Sequence, residues 1–93
     1  MKYDRIRYLA PIVETLREMG GSGRTAEVID RVIDKLGISE EEQSEEVPTG
    51  GSRVRNQIQW ARWRLVLGGI IDRSEKGVWT LTPLGHEIDT ATF

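Results

Sequence analysis

The chain has 93 residues, 38% hydrophobic and 30% charged, with 13 Lys+Arg against 15 Asp+Glu and no cysteine. That length suits one domain, residues 1–93, with a modest core; the composition excludes a disordered chain, and the lack of thiols excludes disulfides and thiolate chemistry and points to a reducing cytoplasm. No apolar run approaches the roughly 20 residues that span a bilayer, and the opening MKYDRIRYLAPIVETL breaks its apolar residues with charge, unlike a signal peptide, so no membrane partner is expected.

A first helix is predicted over residues 4–19, where Ile6, Leu9, Val13 and Leu16 recur at three- and four-residue spacing, with Ile12 and Met19 beside them. Pro11 either kinks that helix or sits in the first turn of one that begins near Ala10. Gly20-Gly21-Ser22-Gly23 ends the segment. A second helix spans 25–36, with Ile29, Val32, Ile33 and Leu36 as its stripe and Gly37 as its stop. Ser39 and Glu42 then have capping-box spacing, in which the Ser oxygen accepts from the backbone three residues on and the Glu reaches back. They open a short acidic helical turn over 40–46. Its glutamates read as a solvated face, since no His or Asp joins them and calcium-loop spacing is absent.

Val47–Ser52 is a loop, with Ser52 as N-cap of a third main helix over 53–67 that closes at Gly68-Gly69. Ile70, Ile71, Val78, Trp79 and Leu81 are strand formers around the turn Ser74-Glu75-Lys76-Gly77, which predicts a hairpin over 70–81. Thr82 as N-cap and Pro83 at the first helical position open a last helix over 83–90. Helices followed at once by a hairpin give a mainly α fold with a small β element (α+β), the layout of a winged helix-turn-helix. In that arrangement one helix enters a DNA major groove and the wing touches the flanking backbone.

Charge is unevenly laid out. Residues 1–51 carry seven cations and eleven anions, a balance of −4; residues 78–93 carry two anions and no Lys or Arg. Between them, residues 52–77 hold Arg53, Arg55, Arg62, Arg64, Arg73 and Lys76 against Asp72 and Glu75, a balance of +4. Exposed charges are screened within about 10 Å, so a polyanion responds to the local patch rather than to the sum.

The 53–67 helix carries that patch. At 100° per residue Val54, Ile58, Ala61 and Leu65 share one side, while Trp60, Trp63 and Leu67 fall largely on the other. A surface helix normally has one apolar stripe. Two stripes mean that the helix is gripped on both sides or that one tryptophan is presented to a partner. Trp60 and the hairpin's Trp79 are expected in the core, Trp63 is the exposed interaction candidate, and Arg64 is expected beside Trp60, paired with an acid of the first half. Arg53, Arg55, Asn56, Gln57 and Gln59 occupy the first two turns. Guanidinium and carboxamide groups there make paired hydrogen bonds to purine edges, and helix N-termini favour phosphate. Arg62, Arg73 and Lys76 are candidate phosphate contacts from the helix flank and the wing. A merely solvated polar face is the bland alternative.

RNQIQWARWRLVLGGIIDRSEKGVWTLTPLGHE resembles the N-terminal domain of Mrr-type restriction endonucleases. The matching features are Asn56, Trp60-Ala61, Arg64-Leu65, Gly69, and Gly77-x-Trp79-x-Leu81-Thr82-Pro83-x-Gly85. Tyr3, APIVETL with Pro11, Thr25-Ala26-Glu27-Val28 and Leu36-Gly37 fit more weakly. The resemblance covers nearly the whole chain. It implies a winged-helix DNA-binding module joined to a C-terminal nuclease domain that cuts methylated DNA with a carboxylate-held metal, expected to be Mg2+. This chain offers no such site. Glu75-Lys76 lies in a turn, and His86, the sole histidine, lacks a nucleophile motif and reads as a surface residue. No catalytic residue, metal ligand or cofactor is assigned here.

Double-stranded DNA, methylated or not, is thus the expected partner. The acidic segment 40–46 is a departure from the pattern: beside the reading helix it would repel phosphate and act as a gate, or it faces away. The alternatives are a protein-interaction winged helix whose hairpin and Trp63 face form a dimer or dock a partner domain, with the arginines paired to glutamates, and a transcriptional regulator that uses the same contacts.

Overall fold

The structure, a computed structural model, describes residues 6–93. Helix α1 runs Leu9–Glu18, strand β1 Ser22–Arg24, helix α2 Thr25–Leu36, the single turn α3 Glu40–Gln43 and helix α4 Arg53–Leu67. They are followed by β2 (Ile71–Asp72), β3 (Val78–Leu81), α5 (Pro83–Glu87) and a 3-10 turn at Thr90–Thr92. The result is a mostly helical α+β fold with a three-stranded antiparallel sheet, winged-helix-like in its order.

Helix boundaries follow their caps. Ser52 Oγ accepts the Arg55 N–H at 3.3 Å and starts α4, and Ser39 Oγ accepts the Glu42 N–H at 3.1 Å. Gly37 ends α2 at φ 62°, a left-handed conformation that costs glycine little. Thr82 Oγ1 accepts the Gly85 N–H at 3.1 Å, with Pro83 behind it. Pro11 resolves to the first turn of α1, where it leaves no helical hydrogen bond unmade.

Several boundaries differ from expectation. The first helix begins at Leu9, with Tyr8 as its N-cap, and positions 4 and 5 of the expected span lie outside the described residues. Ile6 is exposed rather than on the core stripe; Tyr8 is fully buried in its stead. The acidic helix stops at Gln43, and Glu46 instead bridges to Ser52 across a tight loop. The Glu42 carboxylate binds Arg7 rather than closing a capping box. The last helix ends at Glu87, short of residue 90. The expected hairpin is strand only at its two ends, β2 and β3.

Residues 20–23, expected to be only a helix-ending loop, also supply β1. Ser22, Gly23 and Arg24 pair with Thr80, Trp79 and Val78 of β3. The order β1-β3-β2 makes β3 the central strand. Its alternation is clean: Trp79 and Leu81 face the core, Val78 and Thr80 the other side. The core gathers Ile12, Val13 and Leu16 of α1, Val28 and Val32 of α2, and Val54, Ile58, Ala61 and Leu65 of α4 around Trp79 and Leu81. Arg17 ties the C-terminal segment to α1 by donating to the carbonyls of Gly85 at 3.0 Å and Ile88 at 2.5 Å.

Gly85 is fixed by space rather than by dihedral. A Cβ there would collide with the backbone carbonyl oxygen of Ile70, which cannot swing aside. Gly85→Ala is therefore expected to destabilise the fold by about 1–3 kcal/mol, as overpacking does. On a chain of this size each kcal/mol lowers Tm by roughly 4–8 °C, which calorimetry would read. An unchanged Tm would mean that α5 is not clamped against the strand.

Candidate nucleic-acid interface

Helix α4 buries one stripe, Val54, Ile58, Ala61 and Leu65, as its spacing predicts. Gln57 joins them. Expected at the reading surface, it is only 8% exposed, and its Oε1 accepts the hydroxyl of buried Tyr8 at 3.3 Å. That hydroxyl in turn accepts from Arg7 at 2.8 Å. Gln57 lies three residues after Val54 and four before Ala61, so helical geometry puts it on the core side. It leaves the set of base-reading candidates. Trp60 is partly buried against the core with the Arg64 guanidinium 5.7 Å from its ring centroid. Arg64 has no acidic partner among the described residues, contrary to the expected pairing. Trp63 is 38% exposed and Trp79 is buried, both as expected.

The first turn of α4 is less cationic than its sequence. Arg53 pairs with Glu45 at 2.9 Å, and its N–H donates to the Glu45 carbonyl at 2.9 Å. Arg55 pairs with Asp30 of α2. The acidic segment therefore does not face away; it is fastened beside the N-terminus of α4, where negative charge suits the helix dipole. Arg7 holds Glu42 at 2.5 Å on the same side. Such exposed pairs contribute only about 0–1 kcal/mol, so a phosphate can displace them. Asn56 is exposed, and its carboxamide makes no hydrogen bond among the described residues.

The second half of α4 meets the β2–β3 turn across a cleft of about 370 Å³. Gln59, Arg62 and Trp63 line it from the helix; Arg73, Lys76 and Trp79 line it from the hairpin. The Arg62 guanidinium lies 5.7 Å from the Trp79 ring centroid, and Arg73 lies 5.3 Å from that of Trp63. Both are cation–π distances. Arg62, Arg73 and Lys76 make no ion pair among the described residues, and Arg62 Nε is buried without a hydrogen-bond partner. Glu75 is the one acid in the lining. The turn is shaped by Asp72, whose Oδ1 accepts the Ser74 N–H at 2.7 Å. That backbone hydrogen bond holds its carboxyl below the usual carboxylate range.

Two more features bear on this cleft. The Gly77 carbonyl accepts from Thr25 N at 3.0 Å and from Thr25 Oγ1 at 3.2 Å, which pins the turn to the start of α2. Gly77 sits at φ 79°, open to glycine. Arg24, opposite Val78 on β1, is exposed and makes no ion pair among the described residues. It was not among the sequence candidates, because β1 itself was not anticipated. The structure thus gathers Gln59, Arg62, Trp63, Arg73 and Lys76, and sets Arg53 and Arg55 apart as paired groups.

The family model described as Mrr N-terminal domain matches residues 6–91. No curated protein and no solved structure gives a significant match. Among the described residues no group of three or more His, Cys, Asp and Glu is placed to hold a metal ion, and no helix is long and apolar enough to cross a membrane.

The Gln57 placement is testable by stability. Gln57→Ala is expected to lower the unfolding free energy by about 0.5–1.5 kcal/mol, because the buried hydrogen bond from the Tyr8 hydroxyl to Gln57 is lost. Asn56→Ala, on the exposed side, should stay within about 0.5 kcal/mol of the parent. Urea melts of both variants check this, and equal midpoints would return Gln57 to the surface.

Proposed function

The chain belongs to the Mrr N-terminal domain family, and from that premise we propose that it is the DNA-targeting module of a restriction-system endonuclease. The observation that carries the reading is the segregation of its cations. Arg7, Arg31, Lys35, Arg53 and Arg55 each have a carboxylate partner. Among the described residues Arg24, Arg62, Arg73 and Lys76 have none; the last three line the wing cleft and Arg24 stands opposite Val78 of the wing. Arg17 and Arg64, also without a carboxylate, are engaged by the Gly85 and Ile88 carbonyls and by the Trp60 ring, respectively. Uncompensated guanidinium and ammonium groups on a helix flank and an adjoining turn suit a duplex backbone.

In this reading Arg62, Arg73, Lys76 and Arg24 take phosphates and set the register of α4 on the duplex. Asn56 and Gln59, whose carboxamides make no hydrogen bond among the described residues, read base edges. Arg53 and Arg55 join only when phosphate or a guanine edge displaces Glu45 and Asp30. The acidic segment then discriminates against weak, non-specific engagement of the first turn. Bond cleavage, and the Mg2+ expected with it, belong to a separate nuclease domain. Among the described residues no donor set fits a metal.

A second reading draws on Trp63 and on Leu67, which is 62% exposed on the same side of α4. Tryptophan is enriched at interface hot spots, so this face would seat a second copy of the chain. Sedimentation equilibrium distinguishes the two: a dimer abolished by Trp63→Ala, with no DNA binding, favours the second reading.

The DNA reading predicts a salt signature. With four phosphates neutralised, log K for a duplex falls with log salt at a slope of about −3.6. Asp30→Asn releases Arg55 and should tighten binding and steepen that slope by about 0.9. Fluorescence anisotropy across a salt series measures both. Binding indifferent to salt would remove the proposal.

A further inference from the structure

The cleft between α4 and the hairpin turn has a composition that phosphate binding alone does not need. Phosphate contacts require cations. This site adds an exposed indole, a second indole in its wall and an unengaged carboxamide. We propose that the cleft is a seat for a single unstacked nucleotide, so that the chain prefers DNA with an extrahelical base over an intact duplex. The inference rests on the DNA-binding reading above and adds a substrate class to it.

The geometry supports this in three ways. First, Trp63 is 38% exposed, and the cation over its ring among the described residues is the Arg73 guanidinium, 5.3 Å from the centroid. A guanidinium is a flat cation, and a nucleobase is a flat ring of similar stacking habit; either covers an indole face. Arg73 belongs to an exposed turn with no ion pair among the described residues, so it can yield the ring and turn to the nucleotide's phosphate. Second, Arg62 and Lys76 stand in the same lining, giving a positive surround that only Glu75 offsets. Third, Gln59 is one helical turn before Trp63 and its carboxamide makes no hydrogen bond among the described residues. A base on the Trp63 face would present its edge toward that carboxamide, the group that pairs with adenine by two hydrogen bonds.

The volume agrees. About 370 Å³ falls in the lower range of small-ligand sites, too small for a duplex and adequate for one nucleotide. In an intact duplex both faces of every base are covered by neighbours, so Trp63 has nothing to stack on. A bulged base is already unstacked, and the cost of extruding it has been met by the DNA.

The test is fluorescence anisotropy with two DNA molecules of the same flanking sequence, one a perfect duplex and one carrying a single-adenine bulge. The full chain is expected to bind the bulged DNA roughly 5- to 150-fold tighter, the range that one base–aromatic stack contributes. In Trp63→Ala that ratio should collapse to near one, and in Trp63→Phe most of it should remain; thermal melts establish that each variant is folded. Equal affinity of the parent chain for the two DNA molecules would overturn the inference while the DNA-binding reading stands. Binding to neither would overturn both. Trp63→Ala that dissolves a dimer and leaves the ratio untouched would assign the ring to a second copy of the chain, and would also overturn it.

Discussion

Burial of Trp79 on the central strand holds the arrangement together. β3 is hydrogen-bonded on both sides, to β1 and to β2, and its Trp79 ring is enclosed by the core. A ring of that size removes about 150–250 Å² from water. The same ring also lies under the Arg62 guanidinium and lines the cleft. One side chain therefore fastens the sheet to α4 and brings the hairpin turn against the second half of that helix. Thr25, bonded twice to Gly77, limits where the turn can go. Without those two attachments Arg73 and Lys76 would be charges on a loose loop, with no shared surface with Arg62.

Given that frame, the electrostatics depend on which cations find acids. The molecule is anionic as a whole, yet its anions are spent unevenly. α2 and the acidic segment supply partners to the first turn of α4, while the wing is left almost bare. A ligand that approaches from the wing meets a positive field within one screening length. A ligand that approaches the start of α4 must first exchange one exposed ion pair for another, which costs little and gains little. The two halves of α4 carry two arginines each, Arg53 and Arg55 against Arg62 and Arg64, yet only the first two are paired with carboxylates among the described residues.

Helices α2 and α4 were legible to the residue, with Gly37 as the stop of the first and Ser52 as the cap that starts the second; Thr82-Pro83 marks the start of α5 in the same way. The pattern from Gly77 to Gly85 also reads clearly, and its content is architectural. Gly77 turns the chain, Trp79 and Leu81 fill the core, Thr82 caps a helix, and Gly85 admits the Ile70 carbonyl. β1 was not legible, since Ser-Gly-Arg has no strand propensity and exists as a strand only through β3. Gln57 carried a usable signal in its spacing from Val54 and Ala61, overridden by its polarity. The Arg55–Asp30 pair joins residues 25 apart on different helices, and no local pattern announces it.

Where the available charge lies can be read by exchanging two pairs of arginine and lysine side chains. Arg73→Ala/Lys76→Ala removes two uncompensated cations; Arg53→Ala/Arg55→Ala removes two that already have carboxylate partners. Duplex affinity measured by anisotropy as a function of salt should lose about 1.8 from the slope in the first variant. In the second the slope should hold nearly constant. A slope that falls in the arginine pair and persists in the wing pair would contradict this account and place the DNA contact at the start of α4.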